Sequence, residues 1–251
     1  MKYEGKIFKT SRFGNVVVTK YIDYRNVHIK FVESGYETIA EMGAIKHGNV
    51  KDRSAATVFG IGVLGDAVMY ANGKQLREYD LWQGMLRRCF DSKLHARHNT
   101  YIGCTVSEKF RYYPYFKDWC NNQEYFYSKD NNGRSFQLDK DILVKGNKIY
   151  SEDTCCFVPS EVNSLLVKRN NSRGVCTLGV YFNKTKGKFV AQLNKNGKLI
   201  GLGYFDFELE AFSVYKEQKE CHIKEVANKW KDQIDPRVYE ALMNYQVEIT
   251  D

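Results

Sequence analysis

The sequence predicts an α+β fold. It begins with a small β-rich, barrel-like N-terminal unit and ends with a three-stranded antiparallel sheet packed on a helix. Three observations predict this. Residues 1–65 contain short β-branched runs separated by tight turns. Residues 76–120 place aromatic and apolar side chains at near-helical spacing. Residues 177–230 line up three strands of similar length, then a helical pattern.

The elements follow in order. NVVVTKY (15–21) and NVHIKFV (26–32) read as strands joined by a polar turn, and Ser34-Gly35 turns the chain into YETIAEM. Gly60, Gly62, Gly65 and Asn72-Gly73 mark the exit from this unit through turns. Tyr79, Trp82, Met85 and Leu86 then share one helical face, followed by Arg87 and Arg88. A polar loop, DSKLHARHNTY, separates this from Tyr112, Tyr115, Phe116 and Trp119, which also fit a helix. These aromatics are better explained as core than as stacking platforms for bases. Residues 137–165 read as strand, loop, strand and a helix start that Ser160 caps. TLGVYFN, KFVAQLN and LIGLGYF form the three-stranded sheet, with hairpin connections KTKG and KNGK. Leu209, Phe212, Val214, Tyr215, Ile223, Val226, Ala227 and Trp230 form the stripe that covers it. Asp235 and Pro236 start a last short helix. The domains drawn from these patterns are 1–65, 66–170 and 171–251.

Composition narrows the function. The chain has 251 residues, 43% hydrophobic, which supports folded cores and argues against disorder. No apolar run approaches the ~18 residues of a membrane span, and MKYEGKIFKT lacks the apolar core of a secretory signal. The net charge of +8 favours an anionic partner, nucleic acid before membrane. That charge is unevenly spread. Residues 171–206 hold 6 basic and 1 acidic side chains, and residues 207–251 hold 6 basic and 10 acidic. A basic sheet backed by an acidic helix says which face should meet phosphates. The 7 cysteines, an odd number, point to a reduced, intracellular protein. No CxxC pair occurs. Cys89, Cys104 and Cys155 could still meet in a zinc site, but buried thiols are the simpler reading and structural zinc is not expected.

Two segments carry family resemblances. Gly179-Val180, Gly187 to Ala191, Leu202 to Asp206, Glu210-Ala211 and Tyr215 resemble, in order and spacing, the ethylene-response-factor type of DNA-binding domain. That resemblance implies a three-stranded sheet laid in the major groove and backed by one helix. The plant proteins often carry Arg and Trp on the sheet. Here the positions include Tyr181, Phe182, Phe189 and Gln192, so base specificity does not carry over. LDKDILVKGNKIYSEDTCCFVPSEVN resembles a divergent HNH, or ββα-metal, nuclease module. With Trp82, Arg88-Cys89, Tyr101 to Val106 and Trp119 upstream, the layout resembles stand-alone phage HNH homing-type endonucleases. This implies a cytoplasmic location, that of a bacterial host if the chain is phage-encoded.

The resemblance implies a site. Such a module needs a general base, one divalent cation, Mg²⁺ or Mn²⁺, and a helix residue completing the metal shell. Asp139, Asp141 and Asn163 are the candidate metal ligands, on the reading that residues i and i+2 of a strand share a face. The base is Asp139 or His98, because no His lies between His98 and His222. His95 is the alternative to His98, and both also read as solvated loop histidines. The Asp pair equally reads as surface ion pairs or turn caps, and Asn163 as a helix-terminal hydrogen-bonder. DNA contacts are expected from Arg173, Tyr181, Lys184, Lys186, Lys188, Gln192, Lys195 and Lys198. The functional expectation is a metal-dependent endonuclease acting on double-stranded DNA. The alternative is a catalytically inactive, HNH-derived DNA-binding regulator, favoured by the missing His. A structural protein with merely solvated basic faces ranks last. Neither a membrane nor a small-molecule substrate is expected.

Overall fold

Alternating β-branched residues bury one face of a strand and expose the other, and the N-terminal region obeys this rule. In the computed structural model, which describes residues 3–166, 176–195 and 197–249, Val16 and Val18 share a buried face with Val27, Ile29 and Phe31. The chain divides into two units. One comprises residues 1–120 and 149–152, the other 121–148 and 153–251. The sequence reading drew its boundaries near 65 and 170, whereas contacts group the chain around this one short excursion.

In the first unit, β1 (Ile7–Lys9), β2 (Asn15–Tyr21), β3 (Val27–Phe31) and β4 (Glu37–Ala40) form an antiparallel sheet in that order. It is not a closed barrel: β1 and β4 are its two edges. Closure is unnecessary because α1 (Met42–Lys46) supplies Met42 and Ile45, and Val50 follows, to cover the apolar face. Two small hairpins come next. They are β5 (Ala56–Val58) with β6 (Gly62–Val63), and β7 (Tyr70–Ala71) with β8 (Lys74–Gln75).

Helix α2 (Arg77–Phe90) buries Tyr79, Trp82, Met85, Leu86 and Cys89, the expected stripe extended by one position. The segment read as a polar loop contains α3 (Ser92–His95), because the Asp91 carboxylate accepts from the amides of Lys93 and Leu94. After β9 (Thr105–Val106), α4 (Tyr113–Asn121) buries Tyr113, Phe116 and Cys120. Phe116 is buried as expected, but Tyr112 precedes this helix and it and Tyr115 are exposed, with Tyr113 and Cys120 buried instead. The chain then forms β10 (Gln137–Asp139) in the second unit and returns as β11 (Ile149–Tyr150), which pairs parallel with β9. There the Arg88 guanidinium donates to the Tyr150 hydroxyl at 3.0 Å, and burial pushes that phenol's pKa up.

In the second unit β10 pairs antiparallel with β12 (Cys156–Val158), and α5 (Ser160–Leu165) follows. Ser160 is the first helical residue rather than the cap. Pro159 holds the cap position at φ −63°, the angle its ring enforces. Strands β13 (Val180–Asn183), β14 (Lys188–Lys195) and β15 (Lys198–Phe205) form the expected antiparallel sheet, with β14 central. Helix α6 (Glu208–Trp230) packs on it through Ala211, Phe212 and Tyr215, and farther along buries His222, Ile223, Val226, Ala227 and Trp230. Leu209, expected in the stripe, is 66% exposed, so the packed face begins two positions later at Ala211 with Phe212. Glu161 of α5 accepts from Trp230 Nε1 at 2.8 Å and Lys229 Nζ at 2.6 Å, tying α5 to α6. Helix α7 (Pro236–Met243) starts as expected, with Asp235 accepting from the Arg237 amide at 2.8 Å.

His222 gives this unit an expected pH response. It is buried, and Nδ1 lies 3.5 Å from Glu225 Oε2. Burial holds its pKa below the ordinary histidine value, the Glu225 carboxylate opposes that, and Lys219 and Lys195 reinforce it. The folded chain therefore binds this proton less readily than the unfolded chain. Stability contributed by neutral His222 is fully present above about pH 6.5 and falls as the pH drops below that value. Denaturant midpoints measured at pH 7.5 and 5.5 should show this loss, and His222→Phe should shrink it.

Candidate nucleic-acid interface and nuclease-like segment

The sheet's two faces are assigned by its register. Lys195 reaches Glu225 of α6, and Ala191 and Leu193 are buried, so the odd-numbered residues of β14 face the helix. Lys188, Val190, Gln192 and Asn194 therefore face the other way. Cross-strand pairing adds Tyr181 and Asn183 from β13, opposite Val190 and Lys188. From β15 it adds Leu199, Gly201 and Tyr204, opposite Asn194, Gln192 and Val190. Gly201 pairs with Gln192 and Gly203 with Ala191, which leaves Leu202 as an extra residue. This face is open: Tyr181, Leu199 and Tyr204 are 40%, 65% and 51% exposed.

No strand residue on the open face is acidic. Cations sit at its margin. Lys184 and Lys186 occupy the β13–β14 turn, with Lys186 Nζ lying 4.0 Å from the Tyr204 ring centroid. Lys188 pairs with Asp206, just past the end of β15. Of the DNA contacts expected from sequence, Tyr181, Lys188 and Gln192 stand on the open face, and Lys184 and Lys186 border it. Lys195 lies on the opposite face, and its register partner Lys198 lies with it at the hairpin end. Arg173 lies outside the described residues. Sequence reasoning missed Leu199, Gly201 and Tyr204.

The nuclease-like segment is arranged differently from its expectation. Strand β10 ends at Asp139, so Asp141 lies in a turn and the shared-face argument for the two carboxylates does not apply. Asp139 Oδ1 accepts from the amides of Asp141 at 2.7 Å and Ile142 at 2.8 Å, closing that turn. Burial pushes the Asp139 carboxyl above the usual carboxylate range, and the two amide donors oppose the shift. The Asp141 carboxylate is exposed and pairs with the buried Lys140, whose ammonium also donates to the Asn147 carbonyl at 3.0 Å. Asn163 Nδ2 donates to Gln137 Oε1 at 2.6 Å. These contacts commit Asp139 Oδ1 to the 141–142 turn, Asp141 to Lys140 and Asn163 Nδ2 to Gln137.

The two candidate histidines, His95 and His98, belong to the first unit. His95 Nε2 lies 2.8 Å from the Arg88 carbonyl, and His98 is exposed beside Tyr101. Cys89 and Cys104 are buried in that unit and Cys155 in the second. Among the described residues no group of three or more His, Cys, Asp or Glu is gathered as metal ligands would be. No described helix is long and apolar enough to cross a membrane. Comparison of the chain with protein-family models, curated proteins and solved structures returns no match.

Proposed function

We propose that this chain binds double-stranded DNA through the open face of β13–β15 and acts as a DNA-binding regulator, its nuclease-like segment serving as scaffold. The supporting observation is the open sheet face, which carries no acidic strand residue and is bordered by Lys184, Lys186 and Lys188. Cations at the margin neutralise phosphates, and side chains on the strands reach base edges. Fluorescence anisotropy with a labelled duplex tests this. Affinity should fall about 40-fold or more between 50 and 200 mM salt if three phosphates are neutralised. Lys184→Ala and Lys186→Ala should weaken binding uniformly across sequences. Absent or salt-insensitive binding would overturn the proposal.

A second reading, divalent-metal-dependent hydrolysis of DNA, is favoured by the HNH-like order of residues 138–163 and by the half-buried Asp139 carboxyl. Asp139→Asn keeps the Oδ1 acceptor and hence the turn, so it separates the two roles. If the wild type cuts DNA with Mg²⁺ or Mn²⁺ and Asp139→Asn folds but does not, the carboxylate charge belongs to the chemistry. If the wild type binds duplex and leaves it intact with either metal, the regulator reading stands.

A further inference from the structure

We infer that the open sheet face reads A·T base pairs in the major groove, with Gln192 as the adenine-recognising side chain. This rests on the DNA-binding reading above and adds a base preference to it.

The first observation is the hydrogen-bonding stock of the face. It carries three carboxamides, and two have their oxygens committed. Asn183 Oδ1 accepts from the Lys186 amide at 3.1 Å, and Asn194 Oδ1 accepts from the Gly197 amide at 3.1 Å, so both build turns. Gln192 lies in the interior of the central strand and is half-buried, with its carboxamide unused among the described residues. One carboxamide offers a donor and an acceptor side by side. Adenine presents the matching acceptor N7 and donor N6 in the major groove, whereas guanine presents two acceptors and calls for a guanidinium or ammonium. No arginine stands on the described strands of this sheet, and the strand lysine on the open face, Lys188, is paired with Asp206. Exposed Leu199 stands one open-face step from Gln192, and such a side chain meets the thymine methyl that distinguishes T from C.

The second observation is independent. Gly201 stands directly opposite Gln192. Its φ is not in the left-handed region, and a Cβ built there would meet nothing within 4 Å. Neither conformation nor crowding inside the protein calls for glycine at this position. A bare backbone beside the one uncommitted carboxamide leaves room for a base-pair edge to approach the strand.

The test uses the full chain and anisotropy against duplexes that differ only in a central A·T or G·C block, together with selection from a randomised duplex pool. The wild type should select A·T at the contacted step. Gln192→Ala should lose about tenfold or more of that preference while affinity for random duplex changes little. Gln192→Arg should move the selected base toward G, and Gly201→Leu should weaken binding to every duplex without changing the melting curve. Duplex binding without base preference, or a Gln192→Ala protein that keeps its preference, overturns this inference and leaves DNA binding intact. A wild-type chain that binds no duplex at any salt overturns the DNA-binding reading, and this inference with it.

Discussion

Replacing Gly179 with alanine should loosen helix α6 from the sheet and remove duplex binding. Gly179 sits just before β13 at φ +74°, and a Cβ there would lie 2.1 Å from the Tyr215 ring. Two costs add. The left-handed conformation costs a non-glycine residue about 1–2 kcal/mol. Forcing a methyl into the buried ring of Tyr215 adds about 1–3 kcal/mol of overpacking. The Gly179 carbonyl also accepts from the Gln192 amide at 2.8 Å, so backbone movement at 179 is transmitted to the centre of the open face. Gly187→Ala is the matched control. Gly187 has φ +63° with nothing within 4 Å of its built Cβ, so only the conformational cost applies. Denaturant midpoints should fall clearly further for Gly179→Ala than for Gly187→Ala, and only the first should lose DNA affinity at temperatures where both remain folded. Equal shifts would mean that the Tyr215 contact does not hold the helix to the sheet.

Why some of this is readable from sequence and some is not follows from range. The strands of the C-terminal sheet were legible because each has its own alternation and each hairpin its own turn residues. The α2 stripe was legible because Tyr79, Trp82, Met85 and Leu86 repeat locally. Whether the N-terminal sheet closes depends on its edges, which are far apart in sequence, and α1 covers the face that closure would have covered. The pairing of β11 with β9 involves two residues in each strand and joins parts of the chain more than forty residues apart, too little pattern to read. On the candidate interface, Tyr181 and Gln192 were legible but Leu199, Gly201 and Tyr204 were not. Strict alternation along β15 would group residues 198, 200, 202 and 204. The extra residue at Leu202 breaks that alternation and sets Leu199 and Gly201 on the face of Tyr204. At Asp139 the same limit applied: the period-2 rule was carried past the end of a three-residue strand, whose last carboxylate caps a turn instead.

Truncating Trp82 should be the most damaging single change in the first unit. The indole is fully buried, its ring centroid 5.4 Å from that of Tyr113 and 6.0 Å from that of Tyr79, and Nε1 donates to the Phe110 carbonyl at 2.8 Å. The surroundings cannot close over a gap cheaply, because Gly62 already brings backbone against the ring: a Cβ built there would lie 2.8 Å from it. Trp82→Ala should therefore cost about 3–5 kcal/mol, as large aromatic truncations do in close-packed cores. That is a large share of the roughly 5–15 kcal/mol that holds a domain folded. Trp82→Phe separates packing from hydrogen bonding. It keeps most of the ring but strands the buried Phe110 carbonyl, for about 1–3 kcal/mol. Unfolding followed by far-ultraviolet circular dichroism should rank wild type above Trp82→Phe above Trp82→Ala in denaturant midpoint. An alanine variant within about 1 kcal/mol of wild type would contradict the placement of this indole at the junction of α2 and α4, since that is the cost of a surface substitution and not of a core aromatic.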